Sequence, residues 1–237
     1  MGAITSPQLT RANLMWLFGE LSRAHGPSGW WPSLYGGNFE IVCGAILTQH
    51  VAWRNVEQAL KRMRADRLWS WEALHSAPVE RLERAIRPSG FYRAKARKLR
   101  IFAAVVLERH GGDLERMLEQ DTATLRRELL GIWGVGPETA DDIVLYAAGR
   151  PKFVIDNYTV RILERLGWGI DGLRDPYAGY QQALERRLER DAGLFQEFHG
   201  LLDRHAARVC KARPLCGQCV LSERCGEFRR RRREGRV

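Results

Sequence analysis

Long apolar runs are missing from this chain of 237 residues. A membrane-spanning helix needs about 18 consecutive apolar residues, and the sequence contains no such run. The N-terminal segment has no basic region followed by an apolar one, which predicts that there is no signal peptide. We therefore expect a soluble protein of the cytoplasm, associated with the nucleoid if the source is bacterial, that has no membrane partner.

Cysteine is scarce outside one short segment. Cys43 is the only cysteine before residue 210, and it lies in an apolar helical segment, where we expect a buried core thiol. The other four cysteines lie close together at the C-terminal end: Cys210, Cys216, Cys219 and Cys225. In a reducing compartment such a group binds metal more readily than it forms disulfides.

Acidic residues are outnumbered, since 28 Asp and Glu face 38 Lys and Arg and leave a formal net charge of +10. This excess predicts a polyanionic partner such as nucleic acid, although an anionic membrane surface fits the charge equally well. The five consecutive arginines at 229–233 are expected to form a mobile basic tail that adds nonspecific affinity for DNA.

Strand-like alternation is also absent, because Val and Ile are scattered along the chain. Apolar residues instead recur at three- and four-residue spacing, which predicts an all-α protein with short Gly- and Pro-containing connections. The predicted helices are 9–24, 39–49, 53–64, 70–75, 79–86, 92–109, 114–118, 122–129, 137–148, 157–166, 177–190 and 194–209.

One connection has the composition of an anion-binding turn. Gly134 and Gly136 flank Val135, so the backbone can turn tightly and its amides can approach an anion. Pro137 then suits the first turn of the next helix, whose positive end would face a DNA phosphate. An ordinary turn between two helices is the alternative, because Gly-x-Gly turns are common.

A single carboxylate follows a β-branched run further along the chain. Asp156 stands immediately before a predicted helix, where capping is the usual role of aspartate. At this distance after a glycine hairpin, a partly desolvated aspartate could also stabilise an oxocarbenium ion and position water.

These segments together resemble the helix-hairpin-helix-GPD superfamily of DNA glycosylases, and its endonuclease III branch in particular. The resemblance runs from 39–49 through 90–96 and the glycine hairpin to Asp156 and the four cysteines. It implies two helical domains with the DNA groove between them. The first is a six-helix barrel over 37–151, with the hairpin at about 123–148. The second is a cluster domain formed by 1–36 and 152–237, which includes the basic tail.

The resemblance also assigns roles to individual residues. The aspartate matching Asp156 is the catalytic carboxylate, and the glutamine matching Gln49 fills the gap left by the flipped nucleotide, across which the two would face each other. His50 either touches the orphan base or backbone, or is simply an exposed residue at a helix end. The hairpin is expected to hold DNA through Gly134, Val135, Gly136 and Thr139.

The chain departs from this pattern at Glu138. Members that also cut the DNA backbone have a nucleophilic lysine at this position, and a carboxylate cannot form a Schiff base with the sugar. The resemblance therefore predicts a monofunctional enzyme that leaves an abasic site. Lys152 lies nearby in sequence, but nothing assigns it the role of the nucleophile.

The segment Trp30-Trp31-Pro32 resembles the Trp-Trp-Pro segment of the 3-methyladenine glycosylase members of the branch. There the aromatic and proline residues stack on the alkylated base, and a flat π face suits a cationic purine. Trp31 is the better candidate for the base pocket. The alternative is that both tryptophans pack the junction between the N-terminal helix and the barrel.

The four cysteines have the spacing C-x5-C-x2-C-x5-C, and the family ligates a [4Fe-4S] cluster with four cysteines. The first gap is one residue shorter than usual. Zinc is the weaker alternative, because structural zinc sites usually pair two short cysteine knuckles and this segment has one. The family uses basic residues of the cluster loops, here Lys211 and Arg213, against DNA phosphate.

A second phosphate-facing stripe is a further possibility on the predicted helix 92–109, formed by Lys95, Arg97, Lys98 and Arg100. A solvated helix face explains these residues nearly as well.

The resemblance thus implies a base-excision glycosylase acting on double-stranded DNA with damaged bases, with alkylated purines as the favoured substrates, and we expect it to be monomeric. A glycosylase for oxidised pyrimidines with weak lyase activity is one alternative. A catalytically quiet protein that binds damaged DNA is another, although such a binder would need neither Asp156 nor Gln49.

Overall fold

The computed structural model describes residues 8–236, and all regular secondary structure in that range is helical, which confirms the all-α prediction. The α-helices are α1 (Arg11–His25), α2 (Asn38–Leu47), α3 (Trp53–Ala65), α4 (Trp71–Ser76), α5 (Val79–Ile86), α6 (Tyr92–His110), α7 (Leu114–Leu118), α8 (Thr122–Leu130), α9 (Pro137–Asp142), α10 (Asn157–Leu166), α11 (Pro176–Glu185), α12 (Ala192–Arg208) and α13 (Gly226–Arg233). Within 8–236 no helix is both long and apolar enough to cross a membrane.

The predicted helix 137–148 is not uniform. It is α-helical only over α9, and it continues as a π-helical turn over Ile143–Ala147. Residues 143–146 of this turn are buried. Because π-helical turns are rare and the apolar spacing hardly differs from that of an α-helix, the pattern could not have distinguished them.

The chain divides into two compact units, one formed by Pro32–Arg150 and the other by the residues up to Trp31 together with those from Pro151 onward. The first unit has α2 at its centre, with Val42, Cys43 and Ile46 fully buried. Helices α3, α6, α7 and α9 contact α2, and α4 and α5 pack on α6. The buried Cys43 matches its expected role as a core thiol.

In the second unit α12 is the central helix, with α1 and α10 packed against it. Phe195 and Phe198 of α12 are buried and their rings lie 5.2 and 5.8 Å from that of Phe153. This aromatic contact fixes the segment 153–155 against α12. The segment leads directly to Asp156, so the core of this unit positions that carboxylate.

The prediction of a mobile arginine tail is wrong, because the arginines belong to α13. Glu227 accepts hydrogen bonds from Arg230 and Arg231 at 2.9 Å each, and Arg230 also pairs with Glu234 at 2.7 Å. Pairs three and four residues apart stabilise a helix and offset repulsion among its cations. These glutamates were visible in the sequence, so the helix could have been predicted.

Candidate functional site

The glycine hairpin lies between α8 and α9, as predicted. Gly134 has φ +88°, and a Cβ atom there would come within 2.5 Å of Cγ of Lys98. Glycine is therefore required both by the backbone conformation and by the passage of the lysine chain. Gly136 has an extended backbone and is the N-cap of α9, and Pro137 follows it in the first helical turn. Its amide lies at the positive end of α9, an arrangement that suits an anion.

A buried ion pair clamps the two helices of the hairpin. Arg126 of α8 donates from Nε to Asp141 Oδ1 at 2.6 Å and from its terminal nitrogen to Oδ2 at 3.1 Å. Asp141 is completely buried, and this bidentate contact places a guanidinium against its carboxylate.

Replacing Arg126 with methionine is expected to lower the free energy of unfolding by about 3–5 kcal/mol, since it leaves a buried carboxylate without its guanidinium. The measurement is denaturant unfolding. The control is Arg127→Met, because Arg127 is exposed on the same helix and its loss should change stability by about 0.5 kcal/mol or less. Equal effects of the two variants would contradict the clamp.

Gln49 is tied to the hairpin. Its Nε2 donates to Thr139 Oγ1 at 2.9 Å and to the carbonyl of Gly134 at 3.3 Å, and its Oε1 accepts from Lys98 Nζ at 2.5 Å. The structure therefore brings together two elements that the sequence placed at the DNA, and adds Lys98 to them. Val135 is buried under the turn, so only its backbone is available to a ligand.

Two residues beside Gln49 have strained, exposed conformations. His50 is exposed with φ +57°, and Phe91 is 72% exposed with φ +43°. Their rings lie 6.5 Å apart. A left-handed conformation is uncommon for an aromatic residue, and the exposed ring contributes little to the core, which makes Phe91 a candidate functional residue. Phe91 was not among the residues predicted for the site, because a phenylalanine at the start of a helix is normally part of the core.

The basic residues that were expected to form a stripe on α6 do not share one exposed face. Lys95 is buried and donates to the carbonyls of Leu47 at 2.9 Å and Ser89 at 2.5 Å. Burial, and secondarily Lys98, lowers the pKa of Lys95 to about 8. Arg97 instead stacks on Trp133, with 4.2 Å to the ring centroid. Lysine carries a long apolar stem, so its burial could not be deduced from the helical period.

Glu138 lies exposed in the first turn of α9. The nearby amine in sequence, Lys152, is paired with Glu185 at 3.1 Å in the other unit. Glu138 therefore has no amine to offer, and the amine of Lys152 is held in an ion pair.

Asp156 has the capping role that the sequence predicted, and its second carboxylate oxygen is not used by the cap. It is the N-cap of α10, with Oδ1 accepting from the Thr159 amide at 2.6 Å. Its other oxygen, Oδ2, lies 3.8 Å from Nε2 of the buried His199. Burial lowers the pKa of His199, while Asp156 opposes that shift. The cap occupies one carboxylate oxygen and leaves the other facing α12.

Trp30 and Trp31 are half-buried, with ring centroids 5.5 Å apart. The preceding turn is fixed to α12, since the Ser28 amide and hydroxyl both donate to Glu197 at 2.6 Å. A Cβ atom at Gly200 would come within 2.5 Å of Trp30 Cβ. Gly200 therefore allows the tryptophan segment to lie close to α12. Pro32 belongs to the other unit.

The four clustered cysteines line one cavity of about 20 Å³, together with Arg165 of α10. Burial raises the pKa of the Cys219 thiol to about 11 and also raises that of Cys225. A bound metal cation would instead lower the pKa values of these thiols, because coordination deprotonates a thiol. Within 8–236, no three His, Cys, Asp or Glu side chains are close enough to hold a single metal ion.

The shortened first loop of the cysteine segment is braced by α10. Arg165 donates to the carbonyls of Lys211 at 2.6 Å and Ala212 at 3.1 Å, and Arg161 donates to that of Cys210 at 2.9 Å. The side chains of Lys211 and Arg213 remain exposed, as an interaction with a polyanion requires. The same helix therefore carries Asp156 at its start and supports the cysteine loop at its end.

Comparison with known proteins matches this architecture. Residues 43–190 match the family described as HhH-GPD superfamily base excision DNA repair proteins. A protein of Methanocaldococcus jannaschii whose name describes it as a candidate DNA repair glycosylase is 37% identical over 202 residues. The match covers 85% of this chain and 90% of that protein. Endonuclease III of Thermotoga maritima is 32% identical over 200 residues, 84% of this chain and 87% of that one.

Among solved structures, the 3-methyladenine DNA glycosylase of H. pylori bound to 1,N6-ethenoadenine has a TM-score of 0.71 and 26% identity. The similarity covers 84% of this chain and 97% of that one. The long family match and the identity to relatives of nearly equal length agree with the helical fold. The chain therefore belongs to the HhH-GPD superfamily of base excision DNA repair proteins and is an endonuclease III-like DNA N-glycosylase.

Proposed function

We propose that this enzyme is monofunctional and removes an alkylated purine from double-stranded DNA, leaving an abasic site. The observation that carries the proposal is Glu138, exposed in the first turn of α9 where lyase members of the family have lysine. A carboxylate forms no Schiff base, so the proposal takes water as the nucleophile.

Asp156 would serve this reaction with the oxygen that does not cap α10. As the bond between base and sugar breaks, positive charge develops on the sugar, and a fixed carboxylate stabilises it. The cationic base leaves with the bonding electron pair and becomes neutral. Water then adds to the anomeric carbon and releases its extra proton to the surrounding solvent. The Thr159 amide holds the carboxylate in place before the substrate arrives.

The substrate class rests on Trp30 and Trp31. Each of these half-buried indoles has a flat π face that attracts a cationic ring, and an alkylated purine carries that charge. The related H. pylori enzyme is a 3-methyladenine DNA glycosylase, which supports the same class. A purine already weakened by positive charge needs no further activation of the leaving group.

DNA would be held mainly at its backbone. The exposed Gly136 at the start of α9 offers an amide to a phosphate, and the exposed Lys211 and Arg213 add positive charge. Gln49 and Phe91 are the side chains for insertion into the stack once the nucleotide has flipped out. We expect the enzyme to act as a monomer.

Cys210, Cys216, Cys219 and Cys225 would hold a [4Fe-4S] cluster. All four thiols line one cavity, and the single short cysteine knuckle favours a multinuclear core over zinc, whose structural sites usually pair two such knuckles. Such a group supplies rigidity to the loop that contains Lys211 and Arg213. Base removal needs no electron from it.

The test is an excision assay on duplex oligonucleotides that carry single alkylated or oxidised bases, each analysed with and without hot alkali. We expect breaks only after alkali, and the strongest release from methylated adenine. Breaks without alkali, together with trapping by borohydride, would instead establish lyase chemistry. Release of oxidised pyrimidines alone would overturn the proposed substrate class. Binding to damaged DNA without release of any base would indicate a protein that binds DNA but has no catalytic activity.

Replacing Phe91 with alanine is expected to lower excision from duplex DNA about tenfold. The inserted phenylalanine ring would no longer offset part of the few kcal/mol that unstacking the base costs. Excision from single-stranded DNA should change little, since there is no stack to disrupt. Phe91→Leu is the control and should retain most of the duplex activity. Equal losses on both substrates would mean that Phe91 is needed for folding or base binding instead.

A further inference from the structure

Two lysines of α6 hold the C-terminal end of α2 and the residues that follow it. Lys95 donates to the carbonyl of Leu47, the last residue of α2, at 2.9 Å. Lys98, one helical turn further along α6, donates to Gln49 Oε1 at 2.5 Å. Cations suit this place, because the last carbonyls of a helix carry partial negative charge. The proposed mechanism leaves Lys98 without a role, although it contacts a side chain proposed to enter the DNA.

The stem of Lys98 is fixed as closely as its ammonium group. The backbone of Gly134 lies so near that a Cβ atom there would come within 2.8 Å of the lysine Cδ and Cε. Lys98 is half-buried, and burial lowers its pKa. A partly desolvated ammonium group needs an acceptor, which the carbonyl of Gln49 supplies. The hairpin thus fixes the stem of the lysine, and Gln49 receives its charged end.

The partners of Gln49 determine which way its amide group is turned. An ammonium group only donates hydrogen bonds, so Lys98 must lie against the carbonyl oxygen Oε1. The backbone carbonyl of Gly134 only accepts, so it must lie against the amide nitrogen Nε2, which also donates to Thr139 Oγ1 at 2.9 Å. Both N–H donors of the amide are therefore used, and its orientation is set by the chemistry of its partners.

Gln49 nevertheless remains available to DNA. It is half-buried, and Oε1 has a second lone pair besides the one that accepts from Lys98. Its other two partners, Gly134 and Thr139, belong to the hairpin, the element proposed to hold the DNA backbone. A glutamine held there is ordered before the DNA arrives, so its insertion costs less side-chain freedom.

We propose that Lys98 is a positioning residue that holds Gln49 ready for insertion beside the flipped nucleotide. This inference rests on the proposed role of Gln49 in the DNA. Lys98 anchors the oxygen of the amide and Thr139 anchors its nitrogen, so the two contacts act on one side chain from opposite ends. Loss of either contact frees the amide, and the order must then be restored at each encounter with DNA.

The decisive variant is Lys98→Met, which keeps an unbranched stem beside Gly134 and removes only the ammonium group. Binding is measured to a duplex that carries a tetrahydrofuran abasic-site analogue, so the result does not depend on which base the enzyme removes. We expect the affinity to fall about fivefold, a size usual for coupled side chains in contact. The control Lys61→Met loses the same charge at an exposed position of the same unit and should change the affinity little.

A double-mutant cycle separates positioning of Gln49 from direct contact with phosphate. In a Gln49→Ala background, Lys98→Met should have no further effect, because no amide is left to hold. An equal loss in both backgrounds would mean that Lys98 binds phosphate itself, which would overturn the proposal. Tighter binding by Lys98→Met would also overturn it, since the lysine would then hold Gln49 away from the DNA.

Thr139→Val tests the other end of the amide without changing any charge. Valine has nearly the shape of threonine but accepts no hydrogen bond from Gln49. The affinity should again fall several-fold, while the salt dependence of binding stays that of the parent because no phosphate contact is lost. Thermal unfolding shows that each variant is folded, and an unchanged affinity in folded Thr139→Val would contradict the positioning.

The failure of the proposed role of Gln49 has a different signature. It would appear as full affinity and full excision activity in Gln49→Ala, which would remove the role that Lys98 supports. Impaired Gln49→Ala together with unimpaired Lys98→Met would reject only the positioning by Lys98.

Discussion

Asp156→Asn is expected to lower the single-turnover rate of base excision by about 10²–10³-fold, the range found when one electrostatic stabiliser of a transition state is removed. The amide carries no negative charge, so positive charge developing on the sugar is no longer balanced. Folding should persist, because asparagine caps a helix about as well as aspartate does. The Thr159 amide would still have its acceptor.

The matched control for this experiment is Asp175→Asn. Asp175 caps α11 in the same unit by accepting from the Ala178 amide at 3.1 Å. It undergoes the same chemical change at the same kind of position, so its variant should keep full activity. If Asp156→Asn excises as fast as the parent, Asp156 is only a cap, and the proposed mechanism is wrong.

Cys219→Ser is expected to lose most of the bound iron and, with it, most of the excision activity. A hydroxyl is a poor substitute for thiolate toward iron, and metal binding in such loops contributes directly to folding. The loss should spread beyond the loop, because Arg161 and Arg165 connect the loop carbonyls to α10. Helix α10 begins at Asp156, so a loosened loop would also disturb the carboxylate.

Iron and zinc analysis of the purified protein, visible absorbance and thermal unfolding measure this effect. Cys43→Ala is the control, because Cys43 is a buried thiol in the other unit and its loss should leave the iron content unchanged. Parent protein that contains zinc in place of iron would contradict the cluster assignment. Unchanged activity in iron-free Cys219→Ser would show that α10 holds Asp156 without the loop.

Much of the local structure could be predicted from the sequence because it depends on neighbouring residues. Helix α10 was placed correctly at 157–166, with Asp156 before it, because apolar spacing and capping are local properties. Gly134 was correctly identified as a tight turn for the same reason. The helical arginine run was misjudged, although the glutamates that stabilise it lie within four residues.

Other features were decided only by tertiary packing. The helical pattern made Lys95 look like a surface cation, but its ammonium group donates to the carbonyl of Leu47, 48 residues away at the end of α2, and to that of the nearby Ser89. Lys98 reaches Gln49 across 49 positions of sequence. Helical periodicity tells which face of a helix is apolar, but not which residues of another helix lie opposite. The sequence therefore determined the helices, their caps and the hairpin, whereas packing between remote segments decided which charges are buried and paired around them.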